Sequence, residues 1–228
     1  MSSVSEFRQG VRDILPVMFA AVPIALLWGT LAVAKGLTPV EASLMSFAVF
    51  AGASQFVAID QWKEPAPWLA LTVTVFVVNI RHVLMSASLS RHMQHMPKRL
   101  RAPLFFFLAD ENWALAERRA VKQPLTLAYY LGLGLPLHVC WTAFTAVGAF
   151  AGRALGDPAA YGFDFAFSAI FIAILVGFWK GPRTGVVLAV SAAVAALVKL
   201  TVPGAWFIVA GGLSGALIAA LLHREGEA

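Results

Sequence analysis

Asn79-Ile80-Arg81-His82 interrupts an otherwise apolar stretch, and Asp110-Glu111 follows the run Phe105-Phe106-Phe107-Leu108-Ala109 further along the chain. A guanidinium at Arg81 can hold a carboxylate through two parallel N–H···O bonds. An imidazole at His82 can exchange a proton near neutral pH. Asp110 or Glu111 can pair with Arg81, meet an ammonium group, or carry a coupling proton. Counting from Trp68 at the rise of an α-helix places Asn79 about 16 Å along its helix, close to mid-bilayer. An arginine at that depth costs at least about 2.5–3.5 kcal/mol unless it finds a partner or water. The plainer alternative ends the helix here, with Arg81 at the membrane surface and the two acids in a solvated turn.

A second constellation is Phe50-Ala51-Gly52-Ala53-Ser54-Gln55-Phe56, preceded by Ser46. Small residues around Gly52 permit close helix approach or local unwinding. Gln55 and Ser54 then supply amide and hydroxyl groups at membrane depth. Helix–helix packing and ligand contact both fit this pattern. Gly148-xxx-Gly152, Gly177-xxx-Gly181 and Gly211-xxx-Gly215 read as packing seams. His138 and Cys140 read as packing groups, and His92 and His95 as members of a cationic loop. There is no G-x-S-x-G, H-E-x-x-H, Walker motif or paired C-x-x-C. The expectation is therefore no catalytic residues, no metal and no cofactor, so active transport would draw on an ion gradient or a partner.

These side chains need elements that can carry them through lipid. The 228 residues are 60% hydrophobic and 13% charged, against about 25% charged in soluble domains. A hydrocarbon core of about 30 Å takes about 20 apolar residues per helix. Candidate spans are Ile14–Ala34, Val40–Ile59, Trp68–Leu89, Leu125–Phe150, Phe165–Trp179, Thr184–Thr201 and Ala205–Leu222, with a half-length piece at Pro103–Ala116. The expected fold is an all-α, polytopic transmembrane helix bundle of about seven spans. It forms one membrane domain over residues 1–228: a first half at about 10–90, a basic loop at 91–122, and a second half at about 124–223.

Seven of the 17 Lys and Arg lie in that loop: Arg91, Lys98, Arg99, Arg101, Arg118, Arg119 and Lys122. Such clustering marks a cytoplasmic segment and not a nucleic-acid surface. Counting back over seven crossings puts the N-terminus outside, while Arg8 and Arg12 argue for inside; a re-entrant second segment reconciles the two. Pro23 with Trp28 and Pro136 with Trp141 form a faint echo between the halves. It leaves open two inverted repeats with broken or re-entrant helices, as in secondary transporters.

The order Gly36-Leu37-Thr38, Ser46, Phe50-Ala51-Gly52-Ala53-Ser54-Gln55-Phe56, Asn79-Ile80-Arg81-His82-Val83-Leu84-Met85-Ser86 and Asp110-Glu111 resembles the AzlC family, the large subunits of bacterial branched-chain amino acid exporters. The likeness runs from about Arg8 to Leu222 and extends to Trp141 and the stretch from Gly162 to Phe171. Asn112 departs from it, standing where a small hydroxyl residue is expected after the acids. The resemblance implies a bacterial cytoplasmic-membrane protein with a small AzlD-like membrane partner. It also implies export of valine, leucine, isoleucine or related amino acids, driven by the proton-motive force.

On the chemistry of the residues themselves, the expected substrate site comprises Arg81, Asn79, Gln55, Ser54 and Gly52. Asp110, Glu111 and His82 are the groups expected to meet the ammonium or a proton. A non-transporting scaffold for a partner subunit, and an intramembrane enzyme built on His82 with an acid, are the competing classes.

Overall fold

In the computed structural model of the chain, residues 2–63, 65–155, 172, 176, 179, 181–202 and 206–222 are described. All regular structure among them is helical. The helices are α1 (Ser3–Ala34), α2 (Pro39–Val49), α3 (Gly52–Asp60), α4 (Trp68–His92), α5 (Lys98–Leu104), a 3-10 turn (Phe105–Phe107), α6 (Asp110–Ala120), α7 (Leu127–Leu155), α8 (Pro182–Thr201) and α9 (Trp206–Leu222). Four are long and apolar enough to cross a membrane: α1, α4, α7 and α8. α2 and α9 are shorter apolar helices. The expected span Phe165–Trp179 lies outside the described residues, apart from three isolated positions, as does Gly177.

Two compact units divide the chain. One holds residues 1–60 and 79–164; the other holds 61–78 and 165–228. In the first unit, α1 and α7 form the spine. They run in the same direction, because Glu6 meets Thr126, Met18 meets Cys140, and Thr30 meets Gly148. The helices that carry the Pro–Trp echo are therefore not related by inversion. Glycines let the two backbones touch: a methyl group on Gly29 would overlap the Thr145 carbonyl, and one on Gly148 the carbonyl of Leu26. Gly152 lies against Thr30, so Gly148-xxx-Gly152 is a packing seam.

Gly148→Ala is expected to destabilise the protein by about 1–3 kcal/mol, the usual cost of overpacking. Gly212→Ala on α9 meets nothing within 4 Å and serves as the matched control. Thermal unfolding midpoints in detergent give the comparison; a Gly148→Ala midpoint equal to that of Gly212→Ala rules the seam out.

The expected second span, Val40–Ile59, is two helices. Thr38 starts α2 with a capping box: its Oγ1 accepts the Glu41 N–H at 3.2 Å, while Glu41 Oε2 accepts the Thr38 N–H at 2.7 Å. Pro39 fits the first helical position. α2 stops at Phe50, whose φ of 40° is left-handed. A bulky side chain pays about 1–2 kcal/mol for that backbone, so surrounding packing must hold it there. α3 restarts at Gly52, where a Cβ would come 2.9 Å from the Trp141 ring. The small residue at 52 makes room for an indole from α7.

In the second unit, Gly211 and Gly215 of α9 pack on Ser191 of α8, whose hydroxyl donates to the Gly211 carbonyl at 2.7 Å. Gly211-xxx-Gly215 is thus also a helix–helix seam.

Candidate functional site

α4 and α6 bring the main charged constellation together. α6 begins at Asp110, where Ala109 turns extended and Asn112 takes over the capping role. Asn112 Oδ1 accepts the Ala109 N–H at 2.9 Å, and its Nδ2 donates to the Phe107 carbonyl. The amide makes the two bonds from two separate atoms, which gives the departure at 112 a structural use. Asp110 and Glu111 occupy the first turn, where the helix dipole favours anions.

Arg81 of α4 then meets Asp110, Nη2 to Oδ2, at 3.0 Å. The pair is half-buried, with the two side chains 39% and 45% exposed. Only part of the guanidinium is used: Arg81 Nε is buried without a hydrogen-bond partner, and so is Oδ1 of Asn79. His82 Nδ1 lies 3.2 Å from the Asn79 carbonyl. A carbonyl only accepts, so Nδ1 is the protonated nitrogen in this contact. Glu111 stands next to Asp110. Crowding by surrounding atoms raises its carboxyl above the usual carboxylate range, although the residue retains exposed surface, and the Asp110 charge adds to the rise.

Gln55, Ser54 and Gly52 fall elsewhere, in the seam between α3 and α7. Gln55 is fully buried, donates from Nε2 to Ser46 Oγ at 2.9 Å and accepts Trp141 Nε1–H at 2.9 Å. Ser46 Oγ continues to Thr145 Oγ1 at 2.9 Å. Ser54 Oγ donates locally to the Ala51 carbonyl. The Gln55 amide thus already serves a network joining the broken helix to α7. Gln55→Leu strands the Trp141 N–H, at about 1–3 kcal/mol for a group left buried and unpaired, while the Ser46 hydroxyl keeps Thr145. A thermal midpoint unchanged by Gln55→Leu would remove the network as a source of stability.

Several charged contacts had no clear sequence signal. Glu6 of α1 and Arg119 of α6 form a buried ion pair at 2.6 Å. Thr126 donates to the same carboxylate at 2.9 Å, and the Arg119 guanidinium lies 4.0 Å from the centre of the Tyr129 ring. Tyr129 in turn donates to Asp13 at 2.7 Å. One helical face away, Glu117 accepts from Ser88 and meets His92 at 3.2 Å, while Trp113 donates to Ser88 at 3.3 Å. α6 is therefore held to α4 by Asp110 and Glu117, and to α1 by Arg119. Glu6 precedes the apolar stretch, and nothing local distinguishes it from a solvated terminal acid.

Residues 16–155 match the family model described as AzlC protein, a span that includes Gln55, Arg81 and Asp110. The inner membrane protein YgaZ of Escherichia coli is 31% identical over 220 residues, covering 93% of this chain and 89% of that protein. An uncharacterized membrane protein of Archaeoglobus fulgidus is 32% identical over 96% of each chain. The branched-chain amino acid transport protein AzlC of Bacillus subtilis is 25% identical over 76% of this chain and 68% of its own length. No solved structure matches the chain. A match across more than half of the residues, joined to near full-length likeness to a membrane protein, makes this chain a member of the AzlC family.

Proposed function

We propose that this protein is a membrane transporter subunit of the bacterial cytoplasmic membrane. It exports branched-chain or related apolar amino acids, is coupled to the proton-motive force, and works with a small AzlD-like membrane partner. The observation that carries the reading is the half-satisfied guanidinium of Arg81, paired with Asp110 on a membrane-length helix. The substrate carboxylate takes the open donors of Arg81, with the Asn79 amide beside it. Asp110, released from Arg81 as the carboxylate arrives, meets the substrate ammonium. Glu111 and His82 are the adjacent groups that pick up and release a proton. The apolar walls of the helices suit an aliphatic side chain better than a polar one. Family membership and the printed name of the Bacillus subtilis relative support the substrate class.

The test is flux from vesicles loaded with valine, leucine, isoleucine, lysine or glutamate, with and without the partner, and with and without an imposed pH gradient. Export of the aliphatic amino acids, faster with the gradient, is the expected result. Absence of flux in every arm, with partner stability still dependent on this chain, replaces the exporter with a scaffold.

A further inference from the structure

His138 sits on α7 about 16 Å from the start of that helix, at mid-membrane depth. It is 3% exposed, and neither ring nitrogen has a hydrogen-bond partner. Four phenyl rings surround it instead. Phe47 and Phe50 approach from the end of α2 at centroid distances of 5.2 and 4.7 Å, with ring planes at 71° and 69°. Phe106 and Phe107 approach from the 3-10 turn at 5.3 and 5.4 Å, at 52° and 85°. Phe50 is the residue held in the left-handed conformation that separates α2 from α3.

A neutral imidazole in this box leaves one N–H and one lone pair unmet, at about 1–3 kcal/mol for each buried group. A phenyl ring in its place would pack without that cost. An imidazolium is different: a cation this close to a phenyl ring is attracted by the ring's quadrupole, and each such contact contributes about 0.5–2 kcal/mol against the cost of burying the charge. Three charged groups on the surrounding elements are engaged elsewhere. Glu41 of α2 bonds Thr38, Arg101 of α5 bonds the Gln94 and Met96 carbonyls, and Asp110 beyond the 3-10 turn bonds Arg81. Glu111 lies next to Asp110, and one turn along α7 the Thr142 hydroxyl is buried without a partner. Phe47 and Phe106 are 54% and 42% exposed, so two walls of the box are not covered by other described residues.

We infer that His138 is a proton-binding site, and that its charge state sets how tightly the phenyl box holds the break between α2 and α3. The neutral ring binds the box weakly and leaves the break free to open; the cation draws Phe47 and Phe50 onto α7 and closes it. The use of this proton in transport rests on the exporter reading, whereas its binding does not.

Two measurements test the inference on the full chain in lipid bilayers. In a variant with His82, His92, His95 and His223 replaced by glutamine, the single 15N-histidine resonance is expected to pass from the neutral to the cationic form as the pH is lowered. A resonance that stays neutral throughout overturns the inference. In an Ala51→Cys, Cys140→Ala protein, labelling at the break is expected to slow as pH falls through the same midpoint, beyond the ordinary thiol dependence. Adding His138→Phe should leave only that ordinary dependence, and persistence of the extra step overturns the link to the break. If His138→Phe does not fold, His138→Gln provides the same comparison. Neither measurement needs substrate, so a wild-type chain that moves no amino acid removes the exporter while leaving this site standing.

Discussion

Arg81→Gln is expected to take amino acid efflux down by about ten- to a hundredfold at subsaturating substrate, while insertion and partner binding stay intact. A hydrogen bond to a charged group contributes about 1.5–3 kcal/mol, and each 1.4 kcal/mol is about tenfold in affinity. The variant should remain folded because the pair it breaks is about 40% exposed, and such pairs contribute about 0–1 kcal/mol to stability. A charge swap gives the sharper version. Arg81→Asp with Asp110→Arg restores an ion pair between α4 and α6 but presents the opposite charges to substrate. Efflux should stay low in the swapped protein. Recovery to the wild-type rate would mean that the pair only joins two helices and has no part in binding.

Arg119→Met should have the largest effect on stability, at about 3–5 kcal/mol, because it leaves the Glu6 carboxylate buried without its cation. The side chains of Arg119 and Glu6 are only 6% and 8% exposed, so solvent screens this pair far less than Arg81–Asp110. Combining Arg119→Met with Glu6→Leu should recover most of the loss, since no buried charge then remains. Thermal or denaturant unfolding of the single and double variants gives the comparison. Additive losses in the double variant would show that the two residues act independently. Efflux in vesicles is expected to track the amount of folded protein in this series, unlike in the Arg81 series.

The membrane class and the courses of α4, α7 and α8 were legible because long apolar runs have few alternatives in water or lipid. Contact between Arg81 and Asp110 was legible for a related reason: a guanidinium within an apolar helix must find an anion or water, and few acids were in reach. The break in the second apolar stretch was foreshadowed by the small residues around Gly52. Its left-handed residue is nevertheless Phe50, because tertiary contact with His138 of α7 overrides local preference. Gln55 could not be placed from sequence, since an amide at membrane depth serves a helix seam as readily as a ligand. Glu6 with Arg119 was invisible because their separation of 113 residues carries no periodic signal. His138 looked like an ordinary packing residue until the four phenyl rings were seen around it. A histidine surrounded by apolar sequence does not announce what its nitrogens touch.

The buried pair between Glu6 and Arg119 also bears on compartments. It places the first turn of α1 beside the last turn of α6, while His92 anchors the far end of α4 to that same short helix. Both termini of the path from α1 through α4 consequently share one face of the bilayer. Each of these long helices accounts for one passage, so α2 and α3 together must contribute an even number. Eleven and nine residues are too few for two full passages. The expected arrangement is a pair of helices that enters the lipid and leaves by the side through which it came. An impermeant reagent applied to that side should reach both Thr38 and Asp60, and a reporter fused ahead of Ser3 should read the same compartment as one inserted near Lys122.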